Sequence, residues 1–139
     1  AGGPFDTVVC LNVLEHVADD VGALRRLREQ LRPGGRLVLV VPAYKALYGE
    51  MDRAIHHCRR YERGEIAARL REAGFEVDHL GSYNALGIPG WYVNGRLLRR
   101  RSVPGVQARL NSLLVPLLRL EQRLGVPWGL SLLAVGRRV

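Results

Sequence analysis

Apolar residues form short runs early in the chain and helical patterns later. The run at residues 6–11 is almost continuously apolar and too short for an amphipathic helix. Its valines favour a strand that is buried on both faces. Leucine and valine then recur at helical spacing from residue 21 to residue 31, after two aspartates that can cap a helix. A Pro-Gly-Gly turn and a second apolar strand at residues 36–41 follow. This order predicts a strand–helix–strand unit with a right-handed parallel crossover.

The remainder of the chain mixes a long polar loop, a strand and a leucine-rich region. Residues 43–61 lack periodicity and predict a loop with short helical turns, and a loop of that length is more often functional than idle. Residues 64–73 predict a helix, residues 75–82 a half-buried strand, and residues 129–135 a final strand. Between the last two strands, Pro116 should kink or split a leucine-rich amphipathic stretch.

The charge distribution bears on the possible binding partners, and the cysteine content bears on the cellular compartment. Residues 1–85 carry twelve basic and twelve acidic side chains, whereas residues 86–139 carry nine arginines and one acid, Glu121, so the net charge of +8 lies in the last third. This asymmetry suggests an anionic partner, although a solvated basic face explains it equally well. Nucleic acid is the less favoured partner because aromatic residues make up only 6% of the chain. Cys10 and Cys58 form no paired motif, which favours a cytoplasmic protein.

Two polar segments are candidates for chemistry. The first strand ends in a turn with Glu15 and His16, and ligands of open α/β sheets bind at the carboxyl ends of strands. Histidine has an intrinsic pKa that suits a general base. Further along, Arg59 and Arg60 could hold an anionic group through paired hydrogen bonds. The alternatives are that Glu15 and His16 bind only each other and the loop backbone, and that the arginines pair with Glu50, Asp52 and Glu62.

Several segments together resemble the second half of a class I S-adenosylmethionine-dependent methyltransferase of the type 11/12-like subfamily. The fold implied is an α/β, partial Rossmann-like sheet of that family's strands four to seven in the order 4-5-7-6. Helices would lie on both faces, and a helical insertion at roughly 84–128 would precede the last, antiparallel strand. Residues 1–139 would then be the C-terminal half of a methyltransferase domain. The matching segments are FDTVVCLNVLEHV, LRPGG, RLVLVVP, HHCRRY, AGFEV and GLSLLAVGRR.

The resemblance also implies an activity and a cofactor. The cofactor would be S-adenosylmethionine, with the backbone around Leu11, Asn12 and Val13 beside its sulfonium and amino-acid end. Glu15 and His16 would be catalytic, with His16 as the base that removes a proton from the methyl acceptor. Because residues 1–139 do not include the family's glycine-rich cofactor loop, we expect the isolated chain to be inactive. Some relatives bind a divalent metal with an additional acid where this chain has Asn12, so no metal is expected.

The segment after the second strand resembles a subfamily pattern that contacts substrate. It implies substrate binding by Asp52, His57, Arg59, Arg60 and Tyr61. The match is imperfect, since Cys58 replaces the usual tyrosine and His56 the usual glycine. The acceptor would be a small or lipid-linked molecule whose methylated atom the sequence does not specify. The insertion would shape the acceptor pocket or contact an anionic membrane, and packing or a homo-oligomer interface would explain the same leucines.

A second hypothesis is a non-catalytic module. A truncated or degenerate methyltransferase fold could act through a partner chain along its open strand edge, or through an anionic membrane surface. The strand at residues 6–11 would be that edge, and an uncovered apolar edge promotes association.

Overall fold

The computed structural model describes residues 3–102 and 105–139, without the side chains of residues 107, 108, 110 and 111. Its strands form one sheet in the order β1-β2-β4-β3. β1 and β2 are parallel, and β4 lies between β2 and β3, antiparallel to both. This confirms the partial Rossmann-like sheet and its 4-5-7-6 order. The strands are β1 (Phe5–Leu11), β2 (Leu31–Pro42), β3 (Phe75–Tyr83) and β4 (Ser131–Arg138).

The helices agree with the periodicity of the sequence. The predicted break in the leucine-rich stretch occurs at Leu114, and Pro116 lies in the first turn of the following helix, where no amide hydrogen is needed. The first helix is capped by Asp19, which accepts a hydrogen bond from the Gly22 amide at 2.9 Å. The helices are α1 (Asp20–Glu29), α2 (Glu50–Ala54), α3 (Arg63–Glu72), α4 (Gly87–Tyr92), α5 (Gly105–Leu113) and α6 (Val115–Leu124), with a π-helical turn at Val93–Leu97.

The hydrophobic core lies between one face of the sheet and the pair α1 and α3. Alternate residues of β2, Leu37, Leu39 and Val41, are buried in it, as expected for a strand with one tightly covered face. On the other face β1 is more open, and the Val9 side chain is 59% exposed. The edge of the sheet formed by β1 is therefore apolar and accessible within the described residues.

The predicted Pro-Gly-Gly turn lies within β2 rather than before it. Phe5 pairs with Leu31 and Thr7 pairs with Arg36, so residues 32–35 bulge out of the ladder. Gly34 has a φ of 78°, a left-handed conformation that glycine adopts without a steric penalty. Pairing thus starts five residues earlier than the apolar run predicted.

The helical insertion is attached to the sheet through a buried acid. The Glu121 carboxylate on α6 accepts hydrogen bonds from the Ala85 amide at 2.7 Å and the Leu86 amide at 3.3 Å. The outer side of the insertion carries exposed leucines, which we call the leucine stripe: Leu113, Leu117, Leu120 and Leu124. None of the described helices has the length and hydropathy that a membrane span requires.

A Val→Ala substitution should lower the free energy of unfolding by different amounts on the two faces of the sheet. Val41→Ala should destabilise the chain by about 2 kcal/mol, because it leaves a cavity in the core. Val9→Ala on the neighbouring strand should change the stability by less than about 0.5 kcal/mol, because that side chain is exposed. Urea denaturation of both variants measures the difference, and equal losses would contradict this assignment of the core.

Candidate functional site

The site begins where the chain leaves β1. Asn12 has a φ of 52°, a left-handed conformation that asparagine tolerates better than most residues, and its amide still donates to the Val40 carbonyl at 2.9 Å. The chain then makes a single 3-10 turn, Leu14–His16. This turn buries Glu15 completely and leaves His16 exposed. Both side chains therefore lie at the carboxyl end of the strand.

The loop after β2 closes over this turn. A parallel bridge between Ala43 and Tyr61 joins the two ends of the loop. The loop is also tied directly to the turn after β1, so the two predicted polar segments form one site. The Cys58 amide donates to the Glu15 carbonyl at 2.7 Å, the His16 ring bonds the His56 carbonyl at 3.1 Å, and Arg59 donates to the Ala18 carbonyl at 2.8 Å.

Asp52 on α2 is the centre of a polar cluster that also contains the buried Glu15 and Arg60, the half-buried His57 and the exposed His16. Its Oδ1 accepts from His57 Nδ1 and from Arg60 Nε, each at 2.8 Å. Its Oδ2 accepts from the Gly49 amide at 3.0 Å. Burial alone would raise the pKa of Asp52, but the hydrogen bond from His57 and the charge of Arg60 hold it below its ordinary value. Asp52 is therefore an ionised carboxylate in this interior.

Arg60 is buried with its charge compensated. Besides Asp52 it bonds the Ala43 carbonyl at 2.9 Å. Its guanidinium lies 4.6 Å from the centroid of the Trp91 ring, a cation–π arrangement. Trp91 also donates to Asp52 Oδ2 at 3.4 Å, so α4 of the insertion covers the ion pair.

Hydrogen bonding determines the tautomers of the two histidines. A carbonyl oxygen only accepts, so the bond to His56 places a proton on Nδ1 of His16, and in the neutral ring the lone pair is then on Nε2. The same argument places a proton on Nδ1 of His57, which donates to Asp52. His57 Nε2 then lies 3.6 Å from Glu15 Oε1, and the two imidazole rings are 4.8 Å apart.

Glu15 is the unsatisfied member of the cluster. Neither carboxylate oxygen has a hydrogen-bond partner among the described residues. Burial raises the pKa of Glu15, and the charges of His57, His16 and Arg60 oppose this only in part. At 3.6 Å from Nε2 of His57, Oε1 of Glu15 is close enough for electrostatic attraction but too far for a hydrogen bond.

Two further predicted site residues meet at a second acid, Asp20, at the start of α1. The buried Asp20 carboxylate accepts from Arg59 at 2.8 Å, from the Tyr61 hydroxyl at 3.0 Å and from Arg69 at 3.0 Å. Burial and the charge of Asp20 raise the pKa of the buried Tyr61. Arg59 also lines a hollow of about 170 Å³ with Lys45, Tyr48 and Cys58. The predicted substrate contacts of Arg59, Arg60 and Tyr61 stay predictions.

Sequence reasoning did not identify Asp20 and Trp91 as parts of the site. Asp20 looked like one of two possible helix caps, and Trp91 lies in the insertion, 39 residues from the carboxylate that it bonds. No local motif marks either contact.

The polar cluster has the side chains to bind a metal ion, whereas the adjacent turn has a surface suited to the cofactor. Ligand atoms of Glu15, His16 and His57 lie within 4.8 Å of one another, a spacing compatible with a metal ion. The expectation that no metal binds stays a prediction. Leu11 and Val13 are half exposed on either side of Asn12. This open, apolar rim fits one wall of the site expected for S-adenosylmethionine.

A family model described as a methyltransferase domain matches residues 1–80, more than half of the chain. The chain therefore belongs to the methyltransferase-domain family. The solved structure of an S-adenosylmethionine-dependent methyltransferase from Mesorhizobium loti superimposes with a TM-score of 0.58 and 16% identity, over 96% of this chain and 62% of that one. This likeness confirms the fold.

Curated relatives share moderate identity with the chain. A ubiquinone biosynthesis O-methyltransferase of Pseudomonas aeruginosa is 34% identical over 99 residues, which cover 60% of this chain and 43% of that protein. The protein of the same description from Xanthomonas euvesicatoria pv. vesicatoria is 29% identical over 114 residues, covering 73% and 46%. The chain thus spans less than half the length of these relatives.

The buried carboxyl predicts an unusual effect of pH on stability. Because the pKa of Glu15 is raised above its ordinary value of 4.5, its ionised form costs stability as the pH rises through the raised pKa. Glu15→Gln removes this cost, so its thermal midpoint should exceed that of the native chain near pH 7 and approach it as the pH falls below 4.5.

Glu29→Gln, the same substitution at an exposed position of α1, is the matched control and should leave the pH profile unchanged. A Glu15→Gln midpoint below the native one at every pH would contradict this account of the cluster.

Proposed function

We propose that the protein containing this chain transfers the methyl group of S-adenosylmethionine to a hydroxyl oxygen of a small or lipid-linked acceptor. Family membership supports methyl transfer, and the two relatives described as O-methyltransferases favour oxygen as the nucleophile. The observation that carries the proposal is the exposed His16, with an available Nε2, directly after the turn at Asn12. A base in this position can accept the acceptor proton as the methyl group is transferred.

The other members of the cluster have supporting roles in this proposal. S-adenosylmethionine supplies a methyl group that its sulfonium activates, so the protein mainly aligns the acceptor and removes a proton. The ring of His57 lies edge-on to the ring of His16, and the carboxylate of Asp52 fixes its tautomer. Asp52 and Arg60 are positioning residues, and Glu15 supplies a buried carboxyl that can hold a proton beside His57.

The leucine stripe supports a lipid-linked acceptor. Leu117, Leu120 and Leu124 recur at helical spacing on α6, and Leu113 is the last residue of α5. All four are exposed, and the exposed Arg119 and Arg123 lie close to them in sequence. Exposed leucines flanked by cations suit the surface of an anionic bilayer. We therefore place the acceptor at a membrane surface, with the protein on the cytoplasmic side.

The non-catalytic module is the alternative. The exposed apolar edge of β1, with Val9 and Leu11, favours a fold that is completed by other polypeptide, either from the same protein or from a partner. The mass of the native polypeptide in its source cells separates these cases. A protein about twice as long as this chain would support the enzyme, and a native mass of 15.5 kDa would support the module.

His16→Ala should lower kcat of the complete protein on the order of 10²-fold, because the transition state loses its base. The dissociation constant for S-adenosylmethionine should stay nearly constant, since the imidazole is not part of the proposed cofactor wall. His79→Ala removes an exposed histidine of β3 and is the matched control. An unchanged kcat in His16→Ala would exclude the catalytic role.

Replacing Leu117 and Leu120 by glutamine should weaken binding to phosphatidylglycerol-containing vesicles by roughly tenfold or more, since two apolar side chains no longer enter the bilayer. Cosedimentation measures this binding, which should also fall as salt is added. Val139→Gln changes an exposed apolar residue outside the stripe and should have no effect. Equal binding of all three proteins would contradict membrane contact through the stripe.

A further inference from the structure

A cavity of about 410 Å³ lies between the loop after β2 and the insertion. We propose that this cavity, the arginine pocket, binds an oxyanion, either a carboxylate or a phosphate, carried by an aromatic compound. It is distinct from the polar cluster and contains none of the predicted site residues. Its walls are formed by Tyr48, Gly49, Glu50, Arg53, Tyr92, Gly95, Arg96, Leu97 and Arg99.

The lining of the pocket carries excess positive charge, which favours an anionic ligand. Among the described residues that line the pocket, three are arginines, and the one acid, Glu50, already pairs with Arg53. Arg96 uses one Nη1 donor on the Tyr48 carbonyl at 3.2 Å, which leaves most of its donors available. The Arg99 side chain has no hydrogen-bond or ion-pair partner among residues 3–102 and 105–139. The free N–H donors of these guanidinium groups can form paired hydrogen bonds with the oxygens of a carboxylate or a phosphate.

The aromatic walls indicate the rest of the ligand. Tyr48 and Tyr92 line the pocket, and the guanidinium of Arg53 lies 5.8 Å from the centroid of the Tyr48 ring. Flat rings beside cationic groups favour a planar ligand that carries its charge at one end. A free inorganic ion would leave these rings without a function.

The two walls of the pocket are in direct backbone contact. A Cβ atom added to Gly49 would lie 2.5 Å from the Gly95 carbonyl oxygen, so only glycine permits this approach. Beyond the π-helical turn, Arg99 has a φ of 48°, a left-handed conformation that arginine rarely adopts. Such backbone strain persists only where surrounding structure enforces it, and it is found frequently at ligand sites.

The pocket adjoins the polar cluster through Gly49, whose amide donates to Asp52, and through the side chain of Tyr48. Tyr48, which lines the pocket, donates from its hydroxyl to the His57 carbonyl at 2.8 Å. A ligand held by its anionic end in the pocket would therefore lie on the opposite side of Tyr48 from the His57 backbone. That the ligand is the methyl acceptor rests on the proposed function, but its binding does not.

Titration calorimetry of the chain with phenyl phosphate, benzoate and neutral benzyl alcohol tests the proposal. We expect the anions to bind and benzyl alcohol not to bind at millimolar concentrations. Tighter binding of benzoate would assign the ligand as a carboxylate, and tighter binding of phenyl phosphate would assign it as a phosphate. Arg99→Asn and Arg96→Gln should each weaken anion binding by about tenfold or more.

Asparagine is chosen at position 99 because it tolerates the left-handed backbone, so the fold should be kept. Arg101→Asn removes the same charge two residues away, outside the pocket, and should bind the anions like the native chain. Equal binding of benzyl alcohol, no binding of either anion, or equal losses in Arg99→Asn and Arg101→Asn would overturn the proposal.

These results are independent of methyl transfer. A protein that binds the anions but transfers no methyl group would overturn only the proposed function. A protein that methylates its acceptor but binds neither anion would overturn only the arginine pocket.

Discussion

The buried Asp52 carboxylate is the interaction on which the rest of the site depends. It fixes the tautomer of His57, neutralises Arg60 and accepts from Trp91, so the loop after β2 and α4 of the insertion meet at two oxygen atoms. Removing one partner from a buried ion pair leaves an uncompensated charge and costs about 3–5 kcal/mol. The loop after β2 is therefore held in one conformation by electrostatics rather than by apolar packing alone.

The three buried acids of the site differ in how well they are satisfied. Asp52 and Asp20 each hold cations and hydrogen-bond donors. Asp52 joins two parts of the loop, and Asp20 fastens the loop and α3 to the start of α1. Glu15 has no such partners and faces a histidine. A well-packed protein rarely leaves a buried carboxyl in that state without a functional reason. The contrast separates the acids whose hydrogen bonds build the site from the acid whose oxygens stay unsatisfied among the described residues.

The sheet was predictable from the sequence, whereas most of the site was not. Apolar runs located the strands, and Pro116 located the break between α5 and α6, because strand and helix periodicities are local properties. The residues at the end of β1 were also found, since the carboxyl edge follows from the topology. Asp20 and Tyr61 bond across 41 positions of sequence, and Trp91 reaches Asp52 across 39. The arginine pocket likewise depends on a close approach of Gly49 to Gly95 that no spacing rule encodes.

Glu121 has a consequence for how the insertion responds to its surroundings. It is the only Asp or Glu in residues 86–139, which also contain no histidine or lysine, and its carboxylate is buried against two backbone amides. The outward charge of this region therefore comes from arginine, which stays protonated at every physiological pH. Contacts made through this surface would be regulated by ionic strength and by competing polyanions, and acidification of a compartment would leave them unchanged.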